Sequence, residues 1–470
     1  MTGLTAHNKR VQADLAILGI TDKTWVTPTD GTYDVVIVGG GQSGLASAFG
    51  LRKEGVSNVL ILDENPKGEE GPWTTYARMI TLRTPKDILT IEMGIPSLSF
   101  PAWWTAQHGA ESWQALDKIP RADWMAYLKW YRDTLELPVR NGTRLNLIEP
   151  TGTGLHKLHV TGPDGEDVLQ ARKVILATGI QGGGEWHTPD FIKSALPKSR
   201  YAHTSEEIDF EALKGKRIGI LGGGASAFDN AQHALGLGVA SVDVFMRRKE
   251  MQRVNPIRFM EQTGVVPRFA ALDDAHKYAV ISAFIKLNQP PTNDTFQRAA
   301  AWPGFSLNLG APWTAVHETS DGVEVTTPKG AFTFDFIILS TGMLTDVHLR
   351  PELDRVADKI ALWSDKYDAP ADVRHPLLEI HPYLDDSFQF TPKQPEDGKY
   401  LHGLFAFNYS TLLSQGLSAS ALTGLPHALP RLARGVADQI FLDDLDSWVE
   451  RYHAYDVEEF VALSDDRMEA

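Results

Sequence analysis

The hydrophobic pattern divides the chain into a few clear blocks. Residues 1 to about 32 read as a helical lead-in ending in the turn "TPTDG". A continuous apolar run, Tyr33–Val38, then predicts a buried strand, followed by a helix to about Glu54 and a second strand in "NVLILDE". Residues 66–120, rich in Pro, Gly and Trp, predict long loops with short helices. In "RADWMAYLKWYRDTL" the positions Trp124, Leu128 and Tyr131 share one helical face. Residues 141–177 alternate like a small antiparallel sheet with "PDG" as a hairpin turn, and end in "KVILATG". A second strand–helix–strand block opens at Lys216. Residues 250–310 mix helix and loop, and residues 313–339 are hairpin-like, ending in "FIILSTG". Beyond them, Gly416–Leu429 reads as helical.

The two strand–helix–strand blocks carry related glycine turns. In "GGGQSG" the glycines Gly39, Gly41 and Gly44 form GxGxxG, with Gln42 and Ser43 between them. The second copy is Gly222, Gly224 and Ala227, with Ala225 and Ser226 between. After an apolar strand and before a helix, such a turn lets a pyrophosphate approach the backbone at a helix N-terminus. The two units align without a gap. They differ where the second strand ends: Asp63 and Glu64 in the first copy, Met246, Arg247 and Arg248 in the second. A carboxylate suits the free hydroxyls of an adenosine ribose, and paired arginines suit a 2′-phosphate. FAD is therefore expected on the first turn and NADPH on the second, with a surface arginine pair as the plain alternative.

Composition narrows the picture. At 470 residues there is material for two or three domains. The net charge of −15 argues against nucleic acid or an anionic membrane as partner. No apolar run reaches membrane-spanning length, and the N-terminus does not read as a signal peptide, so a cytoplasmic address is expected. There is no cysteine, which excludes disulfides and a Cys-based redox relay. His375 and His381 read as loop packing, and no metal site is expected.

Further stretches give the chain a resemblance to the class B flavin-dependent monooxygenases: the flavin-containing monooxygenases with their N-hydroxylating and Baeyer–Villiger relatives. "GEEGPW" after Asp63 places Gly71 and Trp73 at the family's Gly and Trp. "TLRTPKDI" resembles the family's flavin-side Asn-Thr-x-Lys stretch, with Arg83 in place of the Asn. "ILATG" and "ILSTG", at Thr178–Gly179 and Thr341–Gly342, resemble the two crossings between domains. The family fingerprint FxGxxxH would fall on Pro197, Ser199 and His203, and only His203 is kept. These departures point to a divergent branch.

The resemblance implies an α/β fold of the three-layer ββα type. Residues 1–190 and 335–470 would form a discontinuous FAD-binding domain, and residues 191–334 an NADPH-binding domain inserted into it. It implies that NADPH reduces the flavin and that the reduced flavin takes up O₂ as a C4a-(hydro)peroxide. That species would oxygenate a nucleophilic nitrogen or sulfur of a small molecule, or, alternatively, a ketone. An NADPH oxidase or dehydrogenase without oxygen insertion stays open, as does a non-enzymatic NADPH sensor. Arg83 is open between a positive group near the flavin, a clamp for a carboxylate substrate and a phosphate ligand, with a structural salt bridge as a further reading. Asn408 and Gln415 are expected at the flavin edge, Trp103 and Trp104 at a substrate pocket or in ordinary core, and a homo-oligomer is open.

Overall fold

The computed structural model describes residues 3–419 and 421–460. The ends of the expected FAD-binding span, 1–2 and 461–470, lie outside them, as does Ser420. Two parallel sheets organise the chain. In the first, the strands Val139–Arg140, Val59–Leu62, Thr32–Val38, Gly165–Leu176 and Leu404–Ala406 run side by side and parallel. Strand side chains alternate between faces. Val35, Ile37, Ile61 and Ile175 therefore face the helices Gln42–Lys53 and Leu425–Asp443. Val36, Leu62, Val174 and Leu176 face the antiparallel strands Arg144–Pro150 and His156–Gly162. Helix, parallel sheet and antiparallel sheet are the three expected layers. The long strand Gly165–Leu176 serves both sheets, antiparallel at its start and parallel at its end.

The second sheet repeats the plan with the order Phe305–Leu309, Ser241–Met246, Arg217–Leu221, Phe336–Leu339 and Tyr201–His203. Ile218, Ile220, Val242 and Val244 pack on the helix Ala225–Gly236, and Phe245, Ile337 and Leu339 on the three-stranded sheet of residues 315–334.

Three expectations change, and one packing choice was not anticipated. The return to the first domain comes after Leu339, not at 335, because Phe336–Leu339 is an interior strand hydrogen-bonded on both edges. Residues 256–287 do not build the second sheet's core. Met260, Phe269, Tyr278 and Ile281 pack with Trp363, Leu378, Leu412 and Leu417 of the C-terminal segment. Phe305–Leu309 is a strand within a stretch read as helix and loop. The helix expected from Gly416 begins at Leu425, because Gly416, at φ +66°, ends the short helix Leu412–Gln415.

The two crossings between the sheets meet. Gly184–Trp186 on the outward passage pairs antiparallel with Met343–Thr345 on the return. Both connections are thus held in one two-stranded ribbon.

Candidate active site

At the first turn, Gly39 has φ +108°, and a Cβ there would lie 2.4 Å from the carbonyl oxygen of Ala177. A Cβ at Gly44 would lie 1.8 Å from the oxygen of Gly39, so the helix rests directly on the strand's exit. Gly41 is different: its nearest neighbour would be Cα of Gly71 at 3.8 Å. It caps the helix Gln42–Lys53 without a side-chain cap and with no acidic residue in the first turn, leaving backbone N–H groups free for an anion. A cavity of about 560 Å³ opens there, lined by Gly39, Gly41, Gln42, Ser43, Asp63, Glu64, Trp73, Arg83, Thr178 and Gly179.

Asp63 accepts from Gly40 N at 2.7 Å and from Asn65 N at 2.8 Å and Asn65 Nδ2 at 3.1 Å. A carboxylate has about four lone-pair sites, so it keeps capacity for a ribose hydroxyl. Burial pushes its pKa up against those N–H donors. Glu64 is exposed and holds Arg144 at 2.8 Å.

The second turn repeats the geometry. Gly222 has φ +116° and would meet the oxygen of Ser340 at 2.2 Å, whereas nothing lies within 4 Å of a Cβ on Gly224. Gly224 caps the helix Ala225–Gly236, again with no side-chain cap. Ala227 is buried beneath. A second cavity, of about 1130 Å³, is lined by Gly222, Gly224, Ser226, Arg247, Arg248, His203, Thr341 and Gly342. Ala225 and Ala227 stay behind its wall. His203 stacks on Trp186 with ring centroids 5.1 Å apart. Burial pulls its pKa down to about 4, so at neutral pH it is an uncharged ring.

The two cavities share the wall residues Trp73, Tyr76, Met79, Arg83, Ile180, Ser205 and Gln289. Arg83 is ion-paired with Asp229 on the helix Ala225–Gly236, and its Nε is buried without a partner. Asp229 is buried, which pushes its pKa up against the pull of Arg83. Nearby, Arg78 donates to the carbonyl oxygens of Thr204 at 2.7 Å and Glu206 at 2.8 Å. The loop carrying Arg78 and Arg83 is thereby laced to the second domain.

A family model described as pyridine nucleotide-disulphide oxidoreductase matches residues 36–283. An FAD-dependent urate hydroxylase from Xanthomonas campestris is 58% identical over 458 residues, covering 96% of each chain. The chain belongs to this family. Among solved structures, ornithine hydroxylase from Pseudomonas aeruginosa superposes with a TM-score of 0.68 at 17% identity, over 87% of this chain and 100% of that one. L-lysine 6-monooxygenase from Pseudomonas syringae gives 0.65 at 18%, over 87% and 99%.

Within the family the chain is one of the class B flavin monooxygenases, oxidoreductases that carry FAD and a nicotinamide dinucleotide. The residues fit both groups: each groove has a helix N-terminus without a side-chain cap and a glycine with room for a phosphate, Gly224 facing open space and Gly41 meeting only Gly71 backbone at 3.8 Å. Despite the family description, disulfide chemistry has no residues to run on, since the sequence has no cysteine. Among the described residues no helix is long and apolar enough to cross a membrane, and no group of three His, Asp or Glu is placed to hold a metal.

One open reading is decided for core and two expectations are corrected. Trp103 and Trp104 line neither cavity; both are buried in an aromatic core with Phe100, and Trp103 also packs against Tyr127 and Trp130. Asn408 is not free for a flavin edge. Its amide donates to Leu176 O, Thr178 Oγ1 and Gly182 O, and its Oδ1 accepts from Ser410 N and Oγ. It clamps the outward crossing. Gln415 is likewise spent on Asp385 O and Arg431. What sequence reasoning missed is the part of the first cavity's wall supplied by Asn255, Gln289 and Thr292, at helix starts and the loop between helices in residues 250–300. They lie remote from any motif, and no local signal marks them.

Proposed function

We infer that the protein is an FAD-dependent, NADPH-consuming hydroxylase of urate or a closely similar anionic heterocycle. The single observation behind the substrate class is Arg83, a cation in the shared wall of the two cavities with a buried, unpartnered Nε. Urate is an anion at neutral pH, edged by alternating carbonyl and N–H groups. With one amino group held by Asp229, the Nη1 side of the guanidinium keeps donors for such an edge, as do the amide N–H groups of Asn255 and Gln289, Asn255 Oδ1 being held by Ile257 N. The similarity to a urate hydroxylase supports the same reading. The expected nucleophilic nitrogen or sulfur narrows on this reading to an electron-rich ring.

Gly39, Gly41, Gln42, Ser43, Gly44, Asp63, Glu64, Trp73, Thr178 and Gly179 hold FAD in this proposal. Gly222, Gly224, Ser226, His203, Arg247, Arg248, Thr341 and Gly342 hold NADPH, and Ala225 and Ala227, off the wall, let the helix start close to the strand. FAD, once reduced by NADPH, supplies the activation of O₂. The chain's share is to orient the substrate with Arg83 and to exclude water with Trp73, Met79 and Leu422 of the wall. The overall change balances as substrate–H, O₂, NADPH and a proton giving substrate–OH, water and NADP⁺.

The test is NADPH oxidation and O₂ uptake by the FAD-loaded protein with and without urate, with labelled O₂ traced into the product. Urate-dependent turnover, one urate lost per NADPH and one labelled oxygen retained, is expected. NADPH oxidation indifferent to urate, with stoichiometric hydrogen peroxide, would instead favour the oxidase reading. Stimulation by amines, sulfides or ketones alone would move the substrate class.

A further inference from the structure

At the C-terminal end, far from both cavities in the sequence, the helix Leu445–His453 follows the helix Leu425–Asp443 after a single residue. It has no buried side chain. Even so, Leu445, Trp448, Val449 and Tyr452 recur at i, i+3, i+4 and i+7, the spacing of an apolar stripe. The stripe keeps a seven-residue step, from Phe441 through Trp448 to Tyr455. A helix this short is marginal in water on propensity alone. Its stability therefore calls for something to cover that stripe.

Among the described residues the cover is partial. Trp25 meets Phe441 edge-on at 6.0 Å, Phe441 meets Trp448 at 5.6 Å, and Trp448 stacks on Tyr452 at 5.7 Å. This ladder of four rings stays 36% to 66% exposed. Soluble monomers rarely leave a contiguous apolar patch of this kind open, and Trp and Tyr concentrate at the centres of protein interfaces.

We propose that the chain forms a two-fold dimer through the helix Leu445–His453 and its aromatic ladder. The helix is self-complementary: Asp446 lies in its first turn, Arg451 and His453 in its last. Antiparallel pairing about a two-fold axis sets the acidic end of one copy against the basic end of the other, twice, and opposes their dipoles. The neighbouring Glu450, Asp456, Glu458 and Glu459 disfavour an anionic lipid surface as the occupant.

The experiment is light-scattering mass of the full-length, FAD-loaded protein over a dilution series. A mass near twice the 51.9 kDa of the chain is expected. Trp448→Glu with Tyr452→Glu should bring it to one chain while flavin content and NADPH oxidation hold, since no buried side chain is altered. Asp446→Arg should weaken the dimer, and adding Arg451→Asp should restore it. A one-chain mass at every concentration overturns the proposal, whether residues 461–470 or lipid then cover the stripe; vesicle sedimentation separates those two. A dimer untouched by Trp448→Glu with Tyr452→Glu overturns it as well.

Discussion

Replacing Gly224 and Gly222 by Ala, one at a time, separates what the second turn does for the fold from what it does for the coenzyme. At Gly224 the backbone sits at φ −73° and ψ 170°, which Ala adopts freely, and a Cβ meets nothing within 4 Å. Losing Gly at an N-cap costs ~1 kcal/mol or less, and restricting the unfolded chain returns ~0.4–1 kcal/mol. Gly224→Ala should therefore fold with nearly unchanged stability. Its methyl group would project into the space a pyrophosphate needs. Loss of one charge-assisted hydrogen bond is worth ~1.5–3 kcal/mol, roughly a 10- to 150-fold rise in the KM for NADPH. Gly222→Ala meets the opposite situation: φ +116° and a carbonyl oxygen 2.2 Å from the new atom. That conformation alone costs on the order of 1–3 kcal/mol, before the clash with the carbonyl. Thermal melting followed by flavin absorbance, beside steady-state kinetics, reads both effects. The reasoning fails if Gly224→Ala melts as low as Gly222→Ala, or if it keeps its KM within about threefold, since one lost charge-assisted bond exceeds that.

Arg248 donates through Nη2 to Lys286 O at 2.8 Å and lines the second cavity. Arg248→Ala should raise the KM for NADPH about tenfold or more and leave NADH nearly unaffected; equal losses with both coenzymes would remove the 2′-phosphate assignment. His156, His203 and His381 are buried, and burial holds each near pKa about 4, down from 6.5. A histidine shifted this way binds its proton first in the unfolded chain. Its stabilisation is present above pH 6.5 and is lost as pH falls to about 4, on the order of 3 kcal/mol each. Asp34, raised to about 6 by burial, works in the opposite sense over the lower part of that window. Urea midpoints should drop across it; a flat or rising trend would contradict the burial of these rings.

The parts of the site legible in the sequence are those fixed by local physics. A glycine turn between an apolar strand and a helix leaves few conformations, so Gly39 and Gly222 could be placed from spacing alone. The same holds for the hairpin at Pro163 and Asp164. Trp103 and Trp104 were ambiguous because a large aromatic residue fills a core or a pocket equally well, and only the neighbours Phe100 and Tyr127 decide. Asn408 reads as a flavin ligand until the partners of its amide are known, and those partners lie in residues 176–182. The packing of residues 256–287 on the C-terminal segment is a long-range choice between two apolar surfaces, with no periodicity to reveal it.

The first sheet is closed by a strand from late in the chain. Leu404–Ala406 pairs with Val174–Leu176, which itself pairs with Val36–Val38. During translation at roughly 5–20 residues per second, the edge strand Val174–Leu176 leaves the ribosome ~10–45 s before the strand that covers it. The second sheet needs nothing beyond Leu339 to complete its hydrogen-bonded ladder and can close first. A newborn chain would then carry a finished coenzyme module inside an unfinished one. The apolar edge at Val174–Leu176 is the surface that chaperones or wrong partners meet in that interval, and slowing elongation after Leu339 should lengthen it.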